Sequence, residues 1–288
     1  MTRSIVQSLW IGPRLSKMEQ VSICSFLHHG HDFHLYCYEP IEGIPEGTTV
    51  RDAAEILPPS EVFFYKRGFG VGSPAAFSNM FRYMLLMKRG NWWVDTDVVC
   101  LKPFDVPGEH LVAQERTMQG GVSASNAIMR APPDSDLAQQ CYQYCLSIDR
   151  DKLKWGVIGP RLVDAVVREL GMETCFQPPS TFCPIDYWRI GELFEARPVP
   201  SHSHAVHLWH AMWNWQGIDP DGVFPPDCLW EQLRRQYLPN HETPQLSQTE
   251  LEFLRRRLAK VNGPPRVSVL KRLRHRLRLP VVFGRRAA

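Results

Sequence analysis

A helix, a short apolar strand and two closely spaced aspartates follow one another in the first third of this chain. The helical part carries apolar side chains four residues apart, at Phe77, Phe81 and Leu85, so they share one face. Gly90 suits the end of this helix, and the wholly apolar strand 92–94 begins almost at once. A helix that leads directly into a buried strand is typical of a layered α/β fold, in which helices cover the sheet.

The segments before and after this stretch predict further strands and helices. Residues 4–10 and 33–38 indicate strands, and residues 16–28 between them carry apolar side chains at helical spacing. A strand, a helix and a strand in that order predict a parallel α/β unit. Further along the chain, residues 162–170 predict a helix and residues 205–209 a strand, which an aromatic loop follows.

Asp95 and Asp97 lie where strand 92–94 ends. In an extended segment, residues i and i+2 point to the same side, so both carboxylates can reach one metal ion, directly or through water. Carboxylates in apolar surroundings need a compensating partner, and a divalent cation is the simplest partner for two of them. Ligands of open α/β sheets gather beyond the carboxyl ends of the strands. The pattern therefore predicts a Mg²⁺ or Mn²⁺ site that binds a diphosphate, which favours nucleotide-sugar chemistry.

Other interpretations of the two aspartates stay open. They could be solvated residues of a turn. They also fit the Asp-x-Asp-x-Thr/Val pattern of HAD-like phosphohydrolases, in which the first aspartate, here Asp95, is the nucleophile. Those enzymes normally carry the motif near the start of the chain and an acidic pair much later, and this sequence departs from both rules. A phosphohydrolase is therefore the second hypothesis, and a non-catalytic glycan- or membrane-binding protein is the third.

Three segments carry a resemblance to a known family, and they are Trp10-Ile11-Gly12, Phe77-Ser78-Asn79-Met80-Phe81-Arg82 and Trp93-Val94-Asp95-Thr96-Asp97-Val98. They resemble the DXD sugar-binding glycosyltransferases, which include glycosyltransferase family 32, the α-1,4-galactosyltransferase-like proteins and, distantly, the large clostridial glucosylating toxins. The resemblance implies a GT-A fold, that is, a Rossmann-like mixed sheet flanked by helices. It also implies a UDP-sugar donor, Mn²⁺ or Mg²⁺, and transfer with retention to a hydroxyl of a glycan or lipid-linked acceptor, in cell-surface polysaccharide or glycolipid synthesis.

The resemblance also implies roles for single residues near the donor. Trp10 would stack on the uracil ring, or else belong to the core at a strand end. Arg82 would contact the donor sugar or a phosphate, or else form a surface salt bridge. Asn79 stands where the family commonly has an aspartate that binds donor-sugar hydroxyls, and its amide can still donate and accept hydrogen bonds. Asn126 would contact the donor or the acceptor, although the preceding glycines favour a role in a turn.

The segment from His207 to Trp215 resembles the closing segment of the same family. The resemblance implies a third protein ligand for the metal, with His207 as the first candidate and His210 as the second. Neutral imidazole suits Mn²⁺ better than Mg²⁺. Trp213 would donate its indole N–H to a phosphate oxygen. The alternative is an aromatic core cluster that contains one hydrogen-bonded histidine.

Charge is distributed unevenly along the chain. The segment from Arg266 to Ala288 contains eight Lys or Arg residues and no acid, which leaves 25 basic against 30 acidic residues in the remainder. A mildly acidic body argues against nucleic acid as a partner. The basic segment interleaves Val and Leu with its charges and predicts a helix, so residues 266–286 could contact an anionic membrane peripherally. A solvated basic segment or a helix packed on a partner chain is the alternative.

The remaining predictions concern location and organisation. The sequence has no apolar run of the roughly 18 residues that a membrane span needs, and its first residues do not resemble a signal peptide. We therefore expect a cytoplasmic location, with peripheral contact at the inner face of the membrane. Residues 1–236 predict the GT-A domain, and residues 237–288 predict an accessory, helical and basic extension. The glycine-rich segment 68–72 predicts a flexible loop that could act as a mobile flap near the donor.

Overall fold

The structure is a computed structural model, and it describes residues 4–261. The predicted basic segment 266–286 lies outside the described residues. In chain order, the strands are β1 (Ile5–Leu9), β2 (Asp32–Cys37), β3 (Thr49–Asp52), β4 (Asn91–Val94), β5 (Val98–Cys100), β6 (Leu111–Arg116), β7 (Val122–Ala131), β8 (Phe176–Gln177) and β9 (Ala205–His207). The α-helices are α1 (Lys17–His28), α2 (Ala75–Arg89), α3 (Asp136–Ser147), α4 (Pro160–Glu169), α5 (Pro179–Phe182), α6 (His210–Gln216), α7 (Leu229–Tyr237) and α8 (Gln248–Leu258).

Seven of the strands form one mixed sheet, in the order β3-β2-β1-β4-β7-β6-β8. The strands β3, β2, β1 and β4 run parallel, whereas β7 is antiparallel to both β4 and β6. A separate two-stranded sheet joins β5 to β9. The predicted α/β class with a GT-A-type mixed sheet is thereby confirmed. The parallel strands β1 and β4 are neighbours, so their carboxyl ends meet at one edge of the sheet.

Two hydrophobic cores cover the two faces of this sheet. In β4, Trp92 and Val94 contribute to the core that includes α1 and α7, whereas Trp93 contributes to the core that includes α2, α3 and α4. Alternate residues of a strand point to opposite faces, so a strand that is apolar throughout must be covered on both sides. This requirement explains the uninterrupted apolar sequence of β4. It also explains why polar groups appear only where the strand ends.

Local sequence signals account for the ends of the helices. Ser16 caps α1 in a reciprocal capping box with Glu19, as its place before the apolar pattern suggests. In α2, Pro74 occupies the cap position and the Ser73 hydroxyl accepts a hydrogen bond of 3.2 Å from a backbone N–H of the first turn. Gly90 ends α2 with a φ of 61°, and a Cβ at this position would lie 2.6 Å from Pro133. Glycine is therefore required both by the backbone and by the close approach.

Two predictions about local structure were wrong. The aromatic loop predicted after the strand 205–209 is the helix α6, because β9 ends at His207 and Trp209 adopts a left-handed conformation with a φ of 61° that redirects the chain. Asn126 lies inside β7 rather than in a turn. The turn predicted from the preceding glycines is present, but it lies before β7, where the N–H of Thr117 donates to the carbonyl of Gly121.

Among residues 4–261, every helix is too short or too polar to cross a bilayer.

Candidate active site

The two aspartates lie in a tight turn between β4 and β5, at the carboxyl edge of the parallel strands. The Val98 N–H donates to the carbonyl of Asp95 at 3.1 Å, which closes the turn. The prediction that an extended segment brings the carboxylates together was therefore wrong, because the chain reverses here. The turn nevertheless achieves the same result. Ligand atoms of Asp95, Asp97 and His207 all lie within 4.8 Å of one another.

His207 reaches this turn because of the small second sheet. β9 is antiparallel to β5 and places His207 opposite Val98, the residue that follows Asp97. The Nε2 atom of His207 lies 3.3 Å from Oδ1 of Asp97. The backbone N–H of His210, at the start of α6, donates to the other carboxylate oxygen at 2.7 Å. Burial on its own would raise the pKa of Asp97, yet the charge of His207 and these hydrogen bonds hold it at about 2.

The same ion pair changes the titration of the histidine. Burial disfavours the charged imidazolium, but the neighbouring Asp97 carboxylate outweighs burial and raises the pKa of His207 well above its ordinary value. Without a cation, the ion pair with Asp97 therefore favours the protonated form of His207. A metal ion that bound His207 would have to displace that proton.

Asp95 is held by a different group of residues. Nη2 of Arg82 donates to Oδ1 of Asp95 at 2.5 Å, and the indole N–H of Trp93 donates to the same oxygen at 2.8 Å. Arg82 lies over the Trp93 ring, 4.7 Å from its centre, and its Nη1 donates to the carbonyl of Asn126. Burial raises the pKa of Asp95, and Asp97 adds to this effect while Arg82 opposes it. Asp95 therefore gives up a proton less readily than Asp97 does.

A buried pair of amides lies behind Arg82. Nδ2 of Asn126 donates to Oδ1 of Asn79 at 2.8 Å. A Cβ added to Gly159, at the start of α4, would lie 3.1 Å from Nδ2 of Asn79 and 3.4 Å from Nδ2 of Asn126, so a side chain there would press on both amides. The amide pair thus connects α2, β7 and the loop before α4 at one point beside the aspartates.

Other residues that the sequence assigned to the site have different surroundings. The side chain of His210 faces Glu19, with Nδ1 of the histidine 3.1 Å from Oε1 of the carboxylate, so it is not a metal ligand in this structure. The indole N–H of the fully buried Trp213 donates to the carbonyl of Leu208 at 2.7 Å, so it does not face a phosphate. Trp10 follows β1 at the same edge of the sheet and packs against the core, which leaves both of its predicted roles open.

Sequence reasoning overlooked Glu115. This residue lies on β6, its carboxyl is hydrogen-bonded to Ser125, and the charge of His207 acts on it. Burial raises the pKa of Glu115 to about 7. The residue is a single acid in an ordinary strand sequence, followed by a basic residue, so no local pattern marks it. It becomes noticeable only when the sheet brings β6 to the side of His207.

The donors of Asp95, Asp97 and His207 suit a divalent metal ion. Two carboxylates and one imidazole favour Mn²⁺, since Mg²⁺ prefers oxygen ligands throughout. Ligand atoms on such an ion lie roughly 2.0–2.3 Å from it and so at most about 4.5 Å apart, close to the 4.8 Å separation seen here. Both hydrogen bonds to Asp95 fall on Oδ1, so Oδ2 keeps its lone pairs for a ligand role. The residues present therefore fit a Mn²⁺ site with positions left for a substrate.

Comparison with known proteins gives this arrangement a context. The family described as "Alpha 1,4-glycosyltransferase conserved region" matches residues 131–240. Residues 131–240 of this chain are thus similar to a conserved glycosyltransferase region. A human alpha-1,4-N-acetylglucosaminyltransferase is 27% identical over 151 residues, which cover 47% of this chain and 42% of that protein. The chain thus spans less than half the length of that relative. The glycosyltransferase resemblance predicted from the sequence is confirmed by these two matches.

Among solved structures, the PaToxG glycosyltransferase is similar over 91% of this chain and 87% of its own, with 13% identity and a TM-score of 0.44. A mutant transferase is similar over 59% of this chain and 86% of its own, with 10% identity and a TM-score of 0.38. The family match covers the segment that holds His207, His210 and Trp213, and it begins after Asp95 and Asp97. The aspartate turn therefore lies outside the family match, whereas His207, His210 and Trp213 lie inside it.

Proposed function

We propose that this protein is a metal-dependent glycosyltransferase that moves a sugar from a UDP-sugar to a hydroxyl of a glycan or lipid-linked acceptor. The observation that carries the proposal is the group of Asp95, Asp97 and His207, whose ligand atoms lie within 4.8 Å of one another at the carboxyl edge of β4. This edge is where open α/β sheets bind nucleotides and their phosphates. A conserved glycosyltransferase region in the same chain supports transfer of a sugar over other reactions of a diphosphate.

Each residue of the site has its own proposed role. Asp95, Asp97 and His207 would hold Mn²⁺, which as a Lewis acid neutralises the diphosphate while charge develops on the leaving group. Arg82 has one Nη on Asp95 and the other on the Asn126 carbonyl, so we assign it to positioning Asp95 rather than to contact with the donor. Trp213 supports the start of α6 through Leu208, since its N–H is already used.

The finer features of the reaction rest on the resemblance. We propose transfer with retention at the anomeric carbon, in which the leaving phosphate accepts the proton of the acceptor hydroxyl. We assign no protein nucleophile. We also propose a cytoplasmic enzyme of cell-surface polysaccharide or glycolipid synthesis, with residues 1–236 as the GT-A domain and residues 237–288 as an extension that contacts anionic membrane through residues 266–286.

Release of UDP from a panel of UDP-sugars tests the proposal directly. We expect the wild type to release UDP only when Mn²⁺ or Mg²⁺ is present, with Mn²⁺ the more effective ion. Asp97→Asn removes a charged ligand but keeps the side-chain volume, and we expect at least about 100-fold slower release, or a loss of at least about 2.7 kcal/mol of transition-state stabilisation. Asp227→Asn is the matched control, because Asp227 forms an exposed ion pair with Arg255.

The same assay separates the other two hypotheses. A phosphohydrolase would release no UDP from the UDP-sugars but would release inorganic phosphate from a phosphomonoester, through an acyl-phosphate on Asp95 that a bound metallofluoride would mimic. A non-catalytic protein would release no UDP from any donor. Equal UDP release by the wild type and by Asp97→Asn would contradict the proposed role of the aspartate turn.

A further inference from the structure

Three aromatic side chains from three separate segments are in contact with one another. Phe69 and Trp215 have ring centres 5.6 Å apart, and those of Trp155 and Trp215 lie 5.3 Å apart. The indole N–H of Trp215 also donates to the carbonyl of Phe69 at 3.2 Å. We call Phe69, Trp155 and Trp215 the aromatic platform. They belong to the loop before α2, the loop before α4 and the helix α6.

The platform presents apolar surface to solvent. Phe69 is 56% exposed, and its loop neighbours Phe64 and Val71 are each 38% exposed. Burying an aromatic ring is strongly favourable, so a ring held on the surface beside two others needs an explanation. Clustered apolar side chains on a surface commonly mark a binding site, whereas single ones do not.

The platform is pre-formed, because its loop is packed tightly. Gly70 is buried, and a Cβ at this position would lie 2.5 Å from the Trp155 ring and 2.7 Å from the Tyr65 ring. Backbone hydrogen bonds from Tyr65 to Ser73 and from Gly72 to Tyr65 close the loop on itself. The segment that the glycines predict to be a flexible loop is a hydrogen-bonded turn in this structure, and its role as a mobile flap stays a prediction. A rigid surface loses less conformational freedom when it binds a ligand.

Both ends of the platform are joined to the candidate site. Helix α6 begins at His210, whose N–H binds Asp97, and Trp215 follows five residues later, which is about 7.5 Å along the helix axis. On the other side, the loop that carries Trp155 ends at Gly159, which packs against Asn126. Short segments of backbone therefore connect two of the three platform residues, Trp155 and Trp215, to residues of the candidate site.

The order of the strands separates this surface from the predicted nucleotide position. Trp10, the residue expected to stack on uracil, follows β1, whereas Asn126 lies in β7. The strand β4, which leads to the aspartates, lies between these two strands. A donor that extended from the β1 side to the metal would leave the β7 side for the second substrate.

We infer that the aromatic platform binds a sugar ring of the acceptor substrate. This inference rests on the proposed glycosyltransferase function. The C–H groups on one face of a pyranose carry partial positive charge and pack well on the negative face of an aromatic ring. Three rings at different angles can hold one sugar and turn one of its hydroxyls toward the metal.

Binding of methyl pyranosides tests the inference without knowledge of the true acceptor. Methyl glycosides of glucose, galactose and N-acetylglucosamine would be titrated by saturation-transfer NMR in the presence of UDP and Mg²⁺. We expect the wild type to bind at least one of them, and Phe69→Ala to weaken that binding at least tenfold. Phe69→Tyr keeps the ring and should bind within threefold of the wild type. Phe253→Ala is the control, since Phe253 is a ring on α8 that is 65% exposed.

A second titration, of UDP with Mn²⁺, separates the possible failures. If the wild type does not bind UDP, the proposed function itself fails. If it binds UDP but no pyranoside, or if Phe69→Ala binds the pyranoside as the wild type does, the platform is not an acceptor site. If Phe69→Ala weakens UDP and pyranoside binding equally, the surface belongs to the donor. Binding to phosphatidylglycerol vesicles would be measured for the same variants. If Phe69→Ala reduces vesicle binding alone, the surface contacts lipid.

Discussion

Asp95 and Asp97 are two residues apart, yet different parts of the chain hold their carboxylates. Asp95 is bound by Arg82 and Trp93, which lie in the adjoining helix and strand. Asp97 is bound by His207 and by the N–H of His210, more than a hundred residues further along the chain. The environments have opposite effects, because the pKa of Asp95 is raised and that of Asp97 is lowered to about 2.

This difference shows that a short motif can join two structural units. Asp95 belongs to a local unit that forms when α2 packs against β4. Asp97 belongs to a long-range unit that requires β9 to pair with β5. A metal ion bound between the two carboxylates would therefore connect the N-terminal and C-terminal parts of the domain. Variants of the local unit and variants of the long-range unit should therefore differ in their effects on the rate of UDP release and on the free energy of unfolding.

The largest effect should come from removing the distant ligand. We expect His207→Gln to reduce Mn²⁺-dependent UDP release by about 1,000-fold, because an incomplete metal site loses several kcal/mol of charge stabilisation. Initial rates at saturating UDP-sugar would measure this. His204→Gln is the matched control, since His204 lies three residues earlier and outside the metal group. A rate for His207→Gln within tenfold of the wild type would mean that the reaction does not depend on His207 as a metal ligand.

On the local side, Arg82→Met should mainly change stability. Arg82 is 3% and Asp95 30% exposed, and the change leaves a half-buried carboxylate without its partner. Breaking a buried ion pair typically costs about 3–5 kcal/mol, and the exposure of Asp95 favours the lower value. We therefore expect the free energy of unfolding to fall by about 3 kcal/mol in urea titrations. A loss below about 1 kcal/mol would mean that the pair contributes little to the local unit.

The pKa of Asp97 predicts how stability depends on acid in the metal-free protein. Its value of about 2 lies below the ordinary 3.8, so ionised Asp97 stabilises the fold above about pH 4, and this contribution is lost as the pH falls toward 2. We expect about 2 kcal/mol to be lost over this range. The stability difference between the wild type and Asp97→Asn in urea should shrink by that amount between about pH 5 and about pH 2. A constant difference would contradict the pairing with His207.

The smallest effect should come from an exposed pair on the same helix as Arg82. Arg89 and Glu55 form an ion pair of 3.1 Å in which both side chains are about half exposed. Solvent screens such pairs, so Arg89→Ala should change the free energy of unfolding by less than about 0.5 kcal/mol. Thermal or urea unfolding at low salt would measure it. An effect as large as that of Arg82→Met would show that burial does not distinguish the two pairs.

The sequence indicated the local unit well because its signals are local. The helix ending at Gly90, the buried strand after it and the two aspartates follow one another directly, and apolar spacing with a glycine stop is enough to find them. Arg82 and Asn79 could be placed on one helix face by counting residues. Their partners Asp95 and Asn126 could not be found in this way, because they come from β4 and β7.

The long-range unit was harder to predict for a physical reason. The resemblance ranked His207 before His210, but the physical reason for the choice lies in the turn at Trp209 and in Glu19 of α1, which the local sequence does not show. Glu115 gave no signal at all, because its environment comes from β7 and β9. Predictions for residues 266–286 lie outside the described part of the chain and stay predictions.

What the sequence by itself determined are the elements whose causes lie within a few residues: the caps of α1, the glycine end of α2, the apolar strand β4 and the acidic turn after it. What only the tertiary structure decided is which distant groups meet, namely His207 rather than His210 beside Asp97, and the three aromatic rings of the platform beside one another. The physical reason is that side-chain charge, burial and ring contacts depend on strand pairing and helix packing between distant segments, which short-range patterns do not encode.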